Sequence, residues 1–93
     1  MAEQHMQIRM PGDLAVGSFA DFVRAWHTND AFVLDFVALN EPPHPDPDDS
    51  DRMIIDGSVV SRVRIPPGQV FELMKALEAQ LSAWEREHPD RKP

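Results

Sequence analysis

One carboxylate, Asp35, stands inside an otherwise apolar run, Phe32-Val33-Leu34-Asp35-Phe36-Val37-Ala38-Leu39. Burial could raise its pKa and make it a general acid or base. Such chemistry needs a second acid or base placed with it, and no pattern in the chain supplies one. Arg24 and Arg62 lie on segments expected to neighbour it, so the expectation is a structural ion pair of Asp35 with Arg62 and Arg24. Buried pairs of this kind often fix register more than they add stability. A second acidic cluster, Asp46-Pro47-Asp48-Asp49-Ser50-Asp51, invites a calcium reading. Set in an EF-hand register from Asp46, Asp48 and Ser50 fit, but Asp51 falls where glycine is needed and Gly57 where glutamate is needed. His5, His27, His44 and His88 are scattered without zinc spacing. There is no cysteine, and no nucleophile elbow, phosphate loop or dinucleotide fingerprint is present. No catalytic residue, metal ligand or cofactor is therefore expected, and the chain is read as a non-enzyme.

The elements that hold these residues follow from periodicity. Met6, Ile8 and Met10 alternate with Gln7 and Arg9, which predicts a short edge strand over 6–10. Aromatic two-fold alternation predicts a strand over 17–27, with Phe19, Val23 and Ala25 on one side and Phe22 and Trp26 on the other. The turn Thr28-Asn29-Asp30 leads into a strand over 31–39, making a hairpin. Pro42, Pro43, Pro45 and Pro47 among acidic residues predict an extended, mobile loop over 40–52. A strand over 53–65 returns, with Gly57 marking a kink or bulge. Pro66-Pro67-Gly68 ends it, and Val70, Leu73, Leu77, Leu81 and Trp84, widened by Phe71 and Met74, trace one face of a helix over 67–88. Asp90 to Pro93 is read as a frayed tail. The fold class expected over 1–93 is a single α+β domain: an antiparallel β-meander of three to four strands backed by one long C-terminal α-helix, dimerising.

Charge narrows the partners. The chain carries 16 acidic and 9 basic residues, a formal −7, which disfavours tracking of phosphates and so argues against nucleic acid. Six acids against Arg52 alone between Glu41 and Asp56 put most of that imbalance in one segment. No apolar run approaches the length of a membrane span, and residues 1–10 contain no apolar stretch resembling a signal peptide. A cytoplasmic location is expected, and lack of cysteine fits a reducing compartment.

The middle strands carry more apolar bulk than one helix can shelter. Ninety-three residues form a small domain that hides only about 60–65% of its unfolded surface. A sheet covered on one face should alternate apolar and polar residues, yet residues 32–39 are apolar on both faces and Phe22 with Trp26 repeats this next door. Leaving such side chains in water forgoes about 1.5–3 kcal/mol each. A homodimer or higher homo-oligomer is the expectation, with Phe22, Trp26, Val33, Val37, Leu77, Leu81 and Trp84 at the oligomer or partner interface.

Gly17-Ser18-Phe19-Ala20-Asp21-Phe22-Val23-Arg24, His27, Phe32-Val33-Leu34-Asp35-Phe36, Val59-Val60-Ser61-Arg62-Val63, Pro67 and the helix closing on Trp84-Glu85 resemble, in that order, the family of small prokaryotic proteins called domain of unknown function 3467. The likeness spans about Met6 to Glu87 and implies a sheet-plus-helix fold; it brings no catalytic residues. At the level of fold alone, a meander followed by a long helix is distantly similar to SecB-like export chaperones. The function expected is a non-enzymatic, oligomeric protein-interaction or scaffold module, chaperone-like, with a possible protein partner. The alternative is a small-molecule-binding or accessory enzyme subunit with its site at the subunit interface.

Overall fold

β-Branched and aromatic side chains dominate two adjacent stretches, and these form the centre of the sheet. In the computed structural model, which describes residues 3–91, β1 (Phe22–His27) pairs antiparallel with β2 (Phe32–Leu39). Thr28 builds the connection: its N–H donates to the Ala31 carbonyl at 2.9 Å, and its hydroxyl accepts from the Asp30 and Ala31 N–H groups at 3.3 and 3.2 Å. The chain then leaves the sheet for a separate hairpin, β3 (His44–Asp46) and β4 (Asp49–Ile54). It returns as β5 (Gly57–Ile65), which lies antiparallel on the free side of β2. The main sheet is thus three-stranded, in the order β1-β2-β5. The extended C-terminal segment continues as one 3-10 turn (Pro67–Gln69) and α1 (Val70–Glu87). The architecture is α+β: antiparallel strands followed by one C-terminal helix.

Four expectations need correction. Residues 6–10 form no strand, and Met6, Ile8 and Met10 stay exposed; the segment pairs with neither open edge of the β1-β2-β5 sheet, and weak alternation alone does not make a strand. The strand expected over 17–27 begins only at Phe22, because Gly17 adopts a left-handed φ of 76° and the chain bends there. The expected loop over 40–52 contains the β3–β4 hairpin, and the expected strand over 53–65 is divided between β4 and β5. Proline density misleads here because a two-stranded ribbon has only edge strands, where proline is tolerated; Pro45 sits in β3 opposite Met53. The acids shape turns: Asp46 accepts from the Asp48 N–H at 2.9 Å and Asp49 from the Asp51 N–H at 3.1 Å. Asn40 closes the neck of this insertion. Its N–H donates to the Asp56 carbonyl at 2.9 Å, and its amide exchanges hydrogen bonds with the Ser58 hydroxyl at 2.9 and 3.2 Å.

The fourth correction concerns the helix, which does not back the sheet. Its main packing partner is the 3-10 turn that leads into it, and none of its residues is buried. Pro66 holds an extended ψ of 150°, Pro67 starts the turn, and the Gln69 N–H bonds the Pro66 carbonyl at 2.9 Å. Two fixed φ angles in succession leave little room for reversal, so the helix projects. The radius of gyration is 18.1 Å, against about 12 Å for a compact domain of this length. The segment expected as a frayed tail lies only in part within the described residues, which end at Arg91.

What core exists sits on β2. Alternation places Val33, Asp35 and Val37 on one face, and these are the buried residues of the described chain, at 1, 0 and 6% exposure. Their neighbours across the sheet are mostly long: Trp26 and Arg64 flank Val33, Arg24 and Arg62 flank Asp35, and Phe22 with the shorter Val59 flanks Val37. This charged face covers itself with the stems of its own side chains. The opposite face carries Phe32, Leu34 and Phe36 on β2, flanked by Val23 and Ala25 on β1 and Val63 and Ile65 on β5. Its flanking residues are short, so the central row stays half-exposed. His27, opposite Phe32, and Ser61, opposite Phe36, share this face; nothing charged lies among the seven apolar residues.

Candidate functional site

Three strands deliver Arg24, Asp35 and Arg62 to one line across the sheet, because Arg24 pairs with Asp35 and Asp35 with Arg62 in register. Arg62 grips both carboxylate oxygens, Nε to Oδ1 at 2.6 Å and Nη2 to Oδ2 at 3.1 Å. Arg24 Nε donates to Oδ2 at 3.0 Å and Trp26 Nε1 to the same oxygen at 3.2 Å. The Arg62 guanidinium also lies 5.4 Å from the Trp26 ring centre, a cation–π contact. No buried side-chain polar atom among the described residues lacks a partner.

The same contacts govern the ionisation of Asp35. The Arg62 hydrogen bonds hold its carboxyl far below the usual carboxylate range; desolvation opposes them, and the Trp26 and Arg24 bonds add to them. In return Asp35 raises the Arg62 guanidinium through its hydrogen bonds and its charge. The shielding is thin, since the sheet is one layer thick and water is kept off by the ligands themselves rather than by depth. A carboxylate ionised at all ordinary pH, with both oxygens engaged, can neither donate a proton nor accept one usefully. What the site does is lock register: a one-residue slip of either outer strand would turn its arginine to the other face. Both arginine side chains remain about half-exposed or more, at 61 and 49%.

The residues expected at an interface divide. Val33 and Val37 are buried within their own chain and offer no surface, which removes them as contacts; their cross-strand neighbours already cover them. Phe22 and Trp26 on the same face are partly open, and Leu77 and Leu81 on the helix are open. Trp84 is half-covered from within its own helix end, stacked on His88 at 4.7 Å with the Arg91 guanidinium 5.6 Å from its ring. Sequence reasoning passed over the apolar face as a surface in its own right. Its signal was available in Phe32, Leu34 and Phe36 alternating with smaller neighbours. It also passed over Asp21, whose carboxylate accepts from the Leu39 N–H at 2.7 Å and so clasps the end of β2.

Among the described residues no group of three or more histidine, aspartate or glutamate side chains converges. His27 stacks on Phe32, His88 Nδ1 donates to the Trp84 carbonyl at 2.9 Å, and His44 lies 3.5 Å from Glu41. Among the described residues no helix is long and apolar enough to cross a membrane.

The fold and this register lock define a small α+β protein with a single-layer antiparallel sheet. Residues 1–90 match the family described as protein of unknown function (DUF3467), and the chain belongs to that family. No curated protein and no solved structure matches it. The distant likeness to SecB-like chaperones therefore finds no support among known structures.

Proposed function

We propose that this chain is a non-enzymatic interaction module that works as a homo-oligomer, holding or scaffolding another protein in the cytoplasm. The observation that supports the reading is the mismatch between apolar surface and cover: a one-layer sheet with an uncharged open face, and an amphipathic helix whose main contact within the chain is its own lead-in turn. Val70, Leu73, Met74, Leu77, Leu81 and Trp84 share one side of α1. At about 1.5–3 kcal/mol for each fully buried side chain, the stripe's open members Met74, Leu77 and Leu81 represent at most roughly 4.5–9 kcal/mol of gross stabilisation not collected within one chain. Most helical stability in proteins comes from packing of the amphipathic face, and this 18-residue helix has little of it. Association supplies the missing contacts.

Sedimentation equilibrium at micromolar concentration tests the oligomer: an assembly of two or more chains is expected, and a monomer overturns the reading. Affinity capture from cells tests the scaffold: a reproducible protein partner is expected, and repeated capture of none removes that half. A large thermal shift with one class of metabolite would instead favour a ligand-binding or accessory subunit with its site between chains.

A further inference from the structure

From the helix projection and the open apolar face we infer that two chains exchange their C-terminal helices, α1 of each lying across the Val23, Leu34, Phe36 and Val63 face of the other's sheet, beside the segment with Leu14, Gly17 and Ser18 that borders Phe36 in an open cleft. This rests on the homo-oligomer reading and specifies the contact that makes it. The two surfaces match in polarity and in number and are comparable in length. Neither the seven residues of the apolar face nor the six of the helix stripe carries a charge. The helix is about 27 Å long at 1.5 Å per residue, and the sheet face from Phe32 to Ala38 on β2 and Ile65 to Ser58 on β5 is about 20–23 Å, its far end made more polar by Ser61 and Ser58. Each chain has one helix and one such face, so a two-fold pair uses every surface once and leaves no copy with an open position.

Position within the chain agrees. The helix leaves the sheet beside this same face: Ile65, Leu73 and Ala76 line an open cleft at the junction. Beyond it the Pro66-Pro67 hinge carries Leu77, Leu81 and Trp84 away from their own sheet. Short, stiff hinges of this kind favour exchange over return. The area is of the right order as well. A helix about 10 Å wide on a face about 20–23 Å long lays a footprint of about 200–230 Å². Two helices and two faces together bury about 800–900 Å², near the ~1,000 Å² that marks a specific interface. The charged face is a poorer seat, because its arginine stems already cover Val33 and Asp35.

The full chain has no cysteine, so introduced thiols report unambiguously. Val63→Cys and Leu77→Cys, made in separate chains, are refolded together and oxidised, and non-reducing mass analysis counts the products. The expected result is a Val63–Leu77 cross-linked pair exceeding both like-with-like products, and a doubly substituted chain that becomes a covalent dimer. An internal disulfide in a monomeric double variant overturns the exchange, because the helix has then folded onto its own sheet. Predominant Val63–Val63 product overturns it in favour of sheet-on-sheet packing, while the homo-oligomer reading survives. Wild-type chain that sediments as a monomer overturns both. Ala25→Cys with Leu81→Cys repeats the test if the first pair fails to fold by circular dichroism.

Discussion

Asp35 shows how a carboxylate in an apolar strand can be made structural. Its folded pKa lies below the ordinary carboxylate value of about 3.9. Above that ordinary value it is ionised both folded and unfolded, and its full contribution to stability is present. As pH falls below about 4 the unfolded chain takes up a proton that the folded chain refuses, and the contribution is lost. Stability should therefore be flat between about pH 7 and 5 with respect to this group and decline below about 4; Asp35→Asn should lower the melting temperature at pH 7 and flatten that acid decline. An unchanged acid limb in urea titrations of the variant would exclude the role. Arg62→Gln should cost more than Arg24→Gln, since Arg62 makes two of the four bonds and Arg24 one. The partners of Asp35 were legible in the sequence because two arginines lay on segments predicted to flank it. The Trp26 bond was not, because an indole donor leaves no mark in spacing.

At the scale of elements, the β2–β5 pairing carries the sheet, and its register is sharply set. Val60 is the extra residue of a bulge between the Phe36–Ser61 and Val37–Val59 pairs. Gly57 opens β5, and a Cβ there would meet Val37 Cγ1 at 2.7 Å and the Ala38 carbonyl oxygen at 3.2 Å. Gly57→Ala should destabilise by about 1–3 kcal/mol, the range for overpacking, with urea denaturation as the check; a neutral result would show that the start of β5 yields freely. Strands β1 and β2 were readable from alternation and from a turn whose residues suit it. The β3–β4 hairpin was not, because its pairing depends on turn-forming aspartates and on ribbon edges that accept Pro45, while its composition imitates a disordered linker. The helix was legible in extent to within a few residues, yet its placement was not. Amphipathic spacing declares that one side must be covered and says nothing about which surface covers it. The two prolines before it were legible as a stop, and their role as a stiff spacer emerged only with the angle of Pro66.

For the whole molecule, the decisive fact is how little of it is dry. Two valines and one aspartate are the buried residues of the described chain, far short of what ordinarily offsets chain entropy. On the proposed homo-oligomer reading, the chain gains its order and its partner in a single reaction. Its melting temperature should then rise with protein concentration, each tenfold increase adding about 1.4 kcal/mol per dimer. Calorimetry over two decades of concentration reads this directly, and a midpoint that does not move would mean the chain is self-sufficient. The sequence pattern carried the excess of apolar bulk; the geometry adds that both the helix stripe and one sheet face are left open. If the chain pairs as proposed, it would respond in a cell to its own abundance. Below a threshold of supply newly made copies would stay unpaired and open to proteolysis, and above it they would persist, so the rate of synthesis would determine how much of the protein lasts.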